Sequence, residues 1–184
     1  LKNNYIYSTL GTLGDTNGFL TCSMHVAKEW NKASQIKPYS LFEYAAQDVK
    51  KGNLTCLLVP GAYPKINSFI MDKELSVKET FIKEIPSLVL VGTNEIMPDE
   101  VEFIYHHPAT TDLLDEVNLS FKRQEKASSN SEACVKLLNN SDKAVAITNQ
   151  ICASHYNLHV YKVLRKGIDM PWICFTKKEL EVSL

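Results

Sequence analysis

The stretch SLFEYAAQDVKKGNLTCLLVPGAY, Ser40 to Tyr63, decides how the chain is read. Its first part reads as a helix, with Ser40 as N-cap, Glu43 at the capping-box position and Gly52 as the stop signal. LTCLLVPGAY then forms an apolar run that breaks at Pro-Gly, as a buried strand does when it runs into a loop.

The same alternation extends in both directions. Before it, YIYSTLG (5–11) reads as a strand ending in a glycine turn, and NGFLTCSMHVAKEW (17–30) has apolar residues at helical spacing. After it, IKEIPSLVLVGTN looks extended and is interrupted by Pro86. The second half repeats the scheme. VEFIYHH (101–107) is a strand, PATTDLLDEV a short helix opened by proline, and LSFKRQE a strand. SSNSEACVKLLNN is a helix with serines and an asparagine at its start, KAVAITN a strand, and QICASHY a helix. LHVYKVLRK and MPWICFTKK close the chain as strands. Strands alternating with helices predict an α/β protein with parallel sheets covered by helices.

The 184 residues are 45% hydrophobic and 22% charged, a balance that supports a packed core in one domain or in two small lobes of a single ligand-binding unit. The net charge of −1, with no basic block, argues against nucleic acid as a partner. No apolar run approaches the ~18 residues of a membrane span, and the first residues lack the pattern of a signal peptide. Cys22, Cys56, Cys134, Cys152 and Cys174 are widely spread among apolar neighbours, with no C-x-x-C. They read as buried reduced thiols, and a cytoplasmic protein is expected.

In open α/β sheets, ligands gather beyond the carboxyl ends of strands, where helix N-termini present free N–H groups. Five such edges are readable: Thr9–Thr16, Pro60–Tyr63, His106–Thr111, Ser128–Ser131 and Thr148–Asn149. Each is rich in hydroxyls, amides or glycine, which suits a small anionic ligand. At any one position, helix capping alone accounts for such residues. The recurrence at every edge is what points to binding. STLGTLGDTNG lacks the lysine and spacing of a phosphate loop, so no nucleotide is expected. In IYHHPATTD, strand alternation sends His106 and His107 to opposite faces, which makes a poor metal pair. Only one of the two can then face a ligand, the other being structural or solvent-facing. His25, His155 and His159 have no ligand spacing either, so no metal is expected. There is no G-x-S-x-G elbow, and Asp112 and Asp115 read as helix N-terminal charge.

Taken in order, the glycine loop, SLFEYAAQDVKKGNLTCLLVP, IYHHP, SSNSEA and AVAITNQICASHYNLHVYK resemble the prephenate dehydratase catalytic domain from about Tyr5 to Glu179. His107–Pro108 matches that family's strand-end His-Pro, and ASHYNL matches its tyrosine segment, with Asn157 in place of glycine. The resemblance implies a two-lobed fold of the type II periplasmic-binding-protein kind, with the ligand between lobes. Residues 1–184 would form a single domain, with lobe 1 at about 1–84 plus 161–184 and lobe 2 at about 85–160. One departure is informative. Dehydratases carry Asn-x-Thr-Arg-Phe near the end of this domain, and this chain has DMPWICF, Asp169 to Phe175. VPGAY, AITN and MPWICF instead resemble the non-aromatising prephenate decarboxylases of the bacilysin-pathway type. Gly61 and Asp15 depart from that subgroup's histidine and small hydroxyl residue.

The implied activity is decarboxylation of prephenate, without cofactor, to a dihydro-4-hydroxyphenylpyruvate in specialised metabolism of the antibiotic or non-proteinogenic amino acid kind. A dehydratase needs an acid at the departing hydroxyl, whereas a decarboxylase must leave that hydroxyl unprotonated. Replacing the donor site by Met170, Pro171 and Trp172 removes the acid and puts apolar surface against the ring. The resemblance assigns the carboxylates to Thr9, Thr12, Ser129, Asn130 and Ser131, and places His107, Thr148 and Asn149 at the ring. His107 is the first candidate proton donor and Tyr63 the second. A homodimer is implied by resemblance alone. Two alternatives stand beside this reading: a dehydratase or related lyase on another cyclic acid or thioester, and a non-catalytic binder of small acids.

Overall fold

The structure, a computed structural model, describes residues 5–15, 19–140 and 143–179. In chain order the elements are β1 (Tyr7–Leu13), α1 (Cys22–Trp30), β2 (Ala33–Tyr39), α2 (Phe42–Lys51), β3 (Cys56–Pro60), α3 (Ile66–Ile70), β4 (Leu75–Ile85) and β5 (Leu88–Gly92). They continue with β6 (Val101–His106), a 3₁₀ helix (Pro108–Glu116), β7 (Phe121–Lys126), α4 (Asn130–Asn139), β8 (Ala144–Asn149), α5 (Gln150–His155), β9 (His159–Arg165) and β10 (Ile168–Lys177). Two structural units result, one of residues 1–16, 23–83 and 170–184, the other of 17–22 and 84–169.

The first unit is a five-stranded sheet in the order β2-β1-β3-β10-β4. β1 is parallel to β2 and β3, and β10 enters antiparallel to β3, with Trp172 opposite Pro60. α2 packs on this sheet because Phe42, Ala45, Ala46 and Val49 share one face and bury it against Leu57, Val59 and Phe175. At roughly 25 cal/mol per Å² of apolar surface, that burial outweighs any single cap. α2 stops at Gly52, whose φ of 81° is the left-handed conformation that a glycine adopts without strain. Its start differs from the expected capping box. The N-cap is Leu41, with no side-chain bond, and Glu43 turns instead to Tyr63 and Lys65.

The second unit is a five-stranded sheet in the order β7-β6-β8-β5-β9. β6 is parallel to β7 and β8, while β5 is antiparallel to β8 and β9. Both sheets are therefore mixed where parallel sheets were expected. The antiparallel strands are those that no helix delivers. β5 follows β4 across Pro86 and Ser87 alone, and β10 follows β9 across a turn with Gly167 at φ 64°. β9 belongs with the second unit because it hydrogen-bonds to β5, so that unit runs to Asp169. Among the described residues, no helix is long and apolar enough to cross a membrane.

Candidate functional site

In the second unit the carboxyl ends of parallel β6 and β8 and the start of α4 bring together most of the expected residues. His107 follows β6 and caps the 3₁₀ helix: its Nδ1 accepts from Ala109 N at 3.2 Å. Its carbonyl oxygen accepts from Thr110 N at 2.9 Å and Thr110 Oγ1 at 2.8 Å. A ring that accepts at Nδ1 carries its proton on Nε2. Burial, and secondarily the neighbouring His106, push the imidazole down to about 4, so His107 is neutral near pH 7. It can donate a hydrogen bond from Nε2 but is no reservoir of a labile proton. His106 lies fully buried at the end of β6, which excludes the solvent-facing option. Its Nδ1 sits 3.0 Å from the His107 carbonyl oxygen, and its Nε2 has no partner.

Thr148 and Asn149, both fully buried, end β8. The Thr148 hydroxyl donates to the Asn130 carbonyl at 2.8 Å, tying β8 to the start of α4. Asn149 caps α5: its Oδ1 accepts from Cys152 N at 2.8 Å while its Nδ2 donates to Leu20 O at 2.8 Å. Both side chains are thus committed to the scaffold. Ser129 caps α4 by accepting from Glu132 N at 3.0 Å, and the Glu132 carboxylate accepts from Ser128 N, one residue ahead of the cap. The Ser131 hydroxyl lies 3.1 Å from that of Tyr156. Asn130 is the exception in the group. Its Nδ2 donates to Cys22 Sγ at 3.4 Å, and its buried Oδ1 has no hydrogen-bond partner. A buried acceptor left open costs about 1–3 kcal/mol, which a ligand donor would recover.

Cys22 and Tyr156 were not among the expected site residues. Cys22 is half-buried where the other four cysteines are fully buried, and Asn149 Nδ2 lies 3.7 Å from its sulfur. Burial, partly offset by the Asn149 amide, pushes the thiol up to about 12, so it stays neutral. Its position at the first turn of a helix was the readable signal. Tyr156 was visible within ASHYNL but was read only as part of a motif.

In the first unit the expected residues divide. The first strand was expected to end at Gly11, but it runs on to Leu13 and contains Thr12 as well as Thr9. Gly11 explains the extension: a side chain there would collide with Leu54 and Tyr39, so the strand packs flush against its neighbours. Thr9 Oγ1 accepts from Thr55 N at 2.9 Å, and the buried Thr12 hydroxyl donates to Leu58 O at 2.8 Å. Thr16 of that edge lies outside the described residues. Trp172 is fully buried, and its Nε1 donates to Lys83 O at 3.3 Å. Met170 is half-buried and Pro171 exposed. Gly61 N donates to Pro171 O at 2.7 Å, which ties the VPGAY turn to the start of β10. In that turn the Tyr63 hydroxyl donates to Glu43 Oε1 at 2.7 Å. Burial first, and then the Glu43 carboxylate, push the phenol well above its ordinary value. Tyr63 is therefore a poor acid. Among the described residues, no group of three or more His, Cys, Asp or Glu side chains is arranged to hold a metal ion.

The family model described as prephenate dehydratase matches residues 11–169. The chain is 25% identical over 186 residues to the prephenate decarboxylase of Bacillus subtilis, covering 94% of this chain and 88% of that protein. Its fold is similar to that of the prephenate dehydratase from Arthrobacter aurescens in complex with L-Phe, with a TM-score of 0.66, 19% identity and 94% of this chain covered. The chain spans 61% of that dehydratase. It is also similar to the periplasmic VFT2 domain of Bordetella pertussis BvgS, with a TM-score of 0.57, 15% identity, and coverage of 92% of this chain and 80% of that one.

Proposed function

Because the chain belongs to the prephenate dehydratase family, with its two-lobed α/β fold, we propose that it is a lyase that removes the ring carboxylate of prephenate as carbon dioxide and keeps the ring hydroxyl. The observation that carries this reading is the start of β10. Pro171 has no N–H, Met170 offers only a thioether, and the Trp172 N–H is spent on Lys83 O. None of these three side chains, which stand where the dehydratases carry their threonine and arginine, can protonate a departing hydroxyl. The likeness to a prephenate decarboxylase over 94% of the chain supports the same reading.

In the proposed reaction the bond from the quaternary ring carbon to its carboxylate breaks. The electron pair enters the ring π system, a ring carbon takes one proton, and carbon dioxide leaves. His107, neutral and donating from Nε2, orients the anion, and the proton comes from water. Ser129, Asn130 and Ser131 at the start of α4 hold carboxylate or carbonyl oxygens, with Thr148 and Asn149 fixing that edge from behind. In the first unit Trp172 holds β10 from within the core, and Thr9 and Thr12 hold β1 in place. The product, a non-aromatic hydroxylated 2-oxo acid, is a precursor suited to a non-proteinogenic amino acid. We extend the resemblance to a cytoplasmic homodimer, which light scattering would test.

Incubation with prephenate, followed by absorbance and product mass, tests the assignment. A product that has lost carbon dioxide alone supports it; phenylpyruvate returns the chain to dehydration, the activity for which its family is named. Binding without turnover would leave a small-acid binder. His107→Ala is expected to lower kcat/KM by about 10²-fold while keeping the fold. The wild-type profile should show no histidine limb between pH 5.5 and 8, since His107 is protonated only near pH 4. A limb near pH 6.5 that disappears in His107→Ala would refute the neutral role.

A further inference from the structure

Glu43 and Tyr63 form a pair whose chemistry the capping expectation did not foresee. β3 ends at Pro60, and the turn that follows closes through Tyr63 N donating to Pro60 O at 3.0 Å. α2 begins at Phe42, after β2. Both residues therefore stand at the carboxyl end of parallel strands, on the edge tied through Gly61 to Pro171. The Tyr63 ring is clamped by Phe42, edge-on at a centroid separation of 4.7 Å, and by Phe69, stacked at 6.0 Å. The clamp fixes where its oxygen points. That oxygen gives its only hydrogen to Glu43 Oε1, whose charge is balanced by Lys65 Nζ at 3.7 Å. The second carboxylate oxygen, Oε2, is buried with no partner. Burial alone would raise the Glu43 carboxyl, but the Tyr63 hydroxyl, the backbone and Lys65 outweigh it and hold it below its usual range. Glu43 is thus an anion throughout the neutral range.

A phenol whose hydrogen is committed to a carboxylate can offer a ligand only its lone pairs, enriched in electron density by that bond. We propose that Tyr63, polarised by Glu43, accepts a hydrogen bond from the ring hydroxyl of the substrate and so keeps that hydroxyl from leaving. The logic inverts acid catalysis. Donating a proton to a hydroxyl turns it into water, whereas drawing on its hydrogen makes the oxygen richer in electrons and a worse leaving group. With the carbon–oxygen bond intact, the electron pair released with carbon dioxide must end on a ring carbon that takes a proton. Without that restraint the pair expels hydroxide, which takes the proton as water, and the ring becomes aromatic. Tyr63 is then the residue that selects the product and Glu43 its positioning residue, an inference that rests on the decarboxylase reading above.

The test is the product ratio from prephenate for wild type, Tyr63→Phe and Glu43→Gln, each confirmed folded by circular dichroism. Phenylalanine keeps the ring clamp and glutamine keeps the shape of the carboxylate, so the two variants remove the acceptor and its charge separately. Each should raise the ratio of phenylpyruvate to dihydro product about tenfold, the effect of one charge-assisted hydrogen bond. Glu43→Asp should restore part of the wild-type ratio. A merely structural pair would lower the rate and leave the ratio unchanged, and an unchanged ratio in both variants overturns the inference. If wild type itself forms only phenylpyruvate, the decarboxylase reading falls and takes this one with it. The wild-type product alone tells the two failures apart.

Discussion

Single side chains in this protein are defined by what they have already given away. Thr148, Asn149 and Tyr63 all looked like free donors in the sequence, yet each side chain donates within 2.8 Å to a carbonyl or carboxylate. Sequence shows the presence of a polar group but not its partners. The sequence did place Ser129 at a helix start and His107 at a strand end, because both signals are local. His107 also shapes the acid response. Its folded pKa, about 4, lies below the ordinary 6.5, so the unfolded chain takes up this proton first as pH falls. The neutral ring costs nothing above pH 6.5; folding stability then declines as pH drops from 6.5 to 4 and levels off below. The decline is on the order of 3 kcal/mol at most. Chemical denaturation at pH 7 and pH 4 should show a smaller loss in His107→Ala than in wild type. Equal losses would mean that the ring is not desolvated.

Elements with strong internal pattern were legible, and those held by their neighbours were not. The helix 42–51, the strand 144–149 and the helix that follows it were all read from apolar spacing and caps. β2 was missed. Its sequence ASQIKPY contains Pro38 and little apolar alternation, and only its place at the sheet edge, paired to β1 alone, accommodates it. α3 was missed because five residues carry too little periodicity to stand out. The close packing of β5 and β9 was equally invisible. A methyl group on Gly92 would overlap the Tyr161 ring, whose hydroxyl donates to Asn94 O at 2.7 Å. Gly92→Ala should therefore cost about 1–3 kcal/mol in thermal or urea denaturation, as overpacked sites do. A change below about 0.5 kcal/mol would show that Tyr161 moves aside freely.

At the scale of the whole molecule, the α/β class followed from alternating elements, and the two-lobed fold from family resemblance. The mixed strand directions needed the structure, because hydrophobic runs do not record which way a strand enters a sheet. The first unit depends on the far end of the chain: β10 lies between β3 and β4 and buries Trp172, Cys174 and Phe175. A chain ending at Asp169 should therefore lose the first unit's cooperative unfolding while the second keeps helical and strand signal in circular dichroism. Retention of both transitions would contradict the sheet order. Function is also a property of the whole, since the fate of one hydroxyl decides the product. Turnover of prephenate in deuterium oxide, followed by nuclear magnetic resonance, tests that fate most directly. The account expects carbon dioxide release, one deuterium bound to a saturated ring carbon, and an intact carbinol. Phenylpyruvate with no ring deuterium would contradict it.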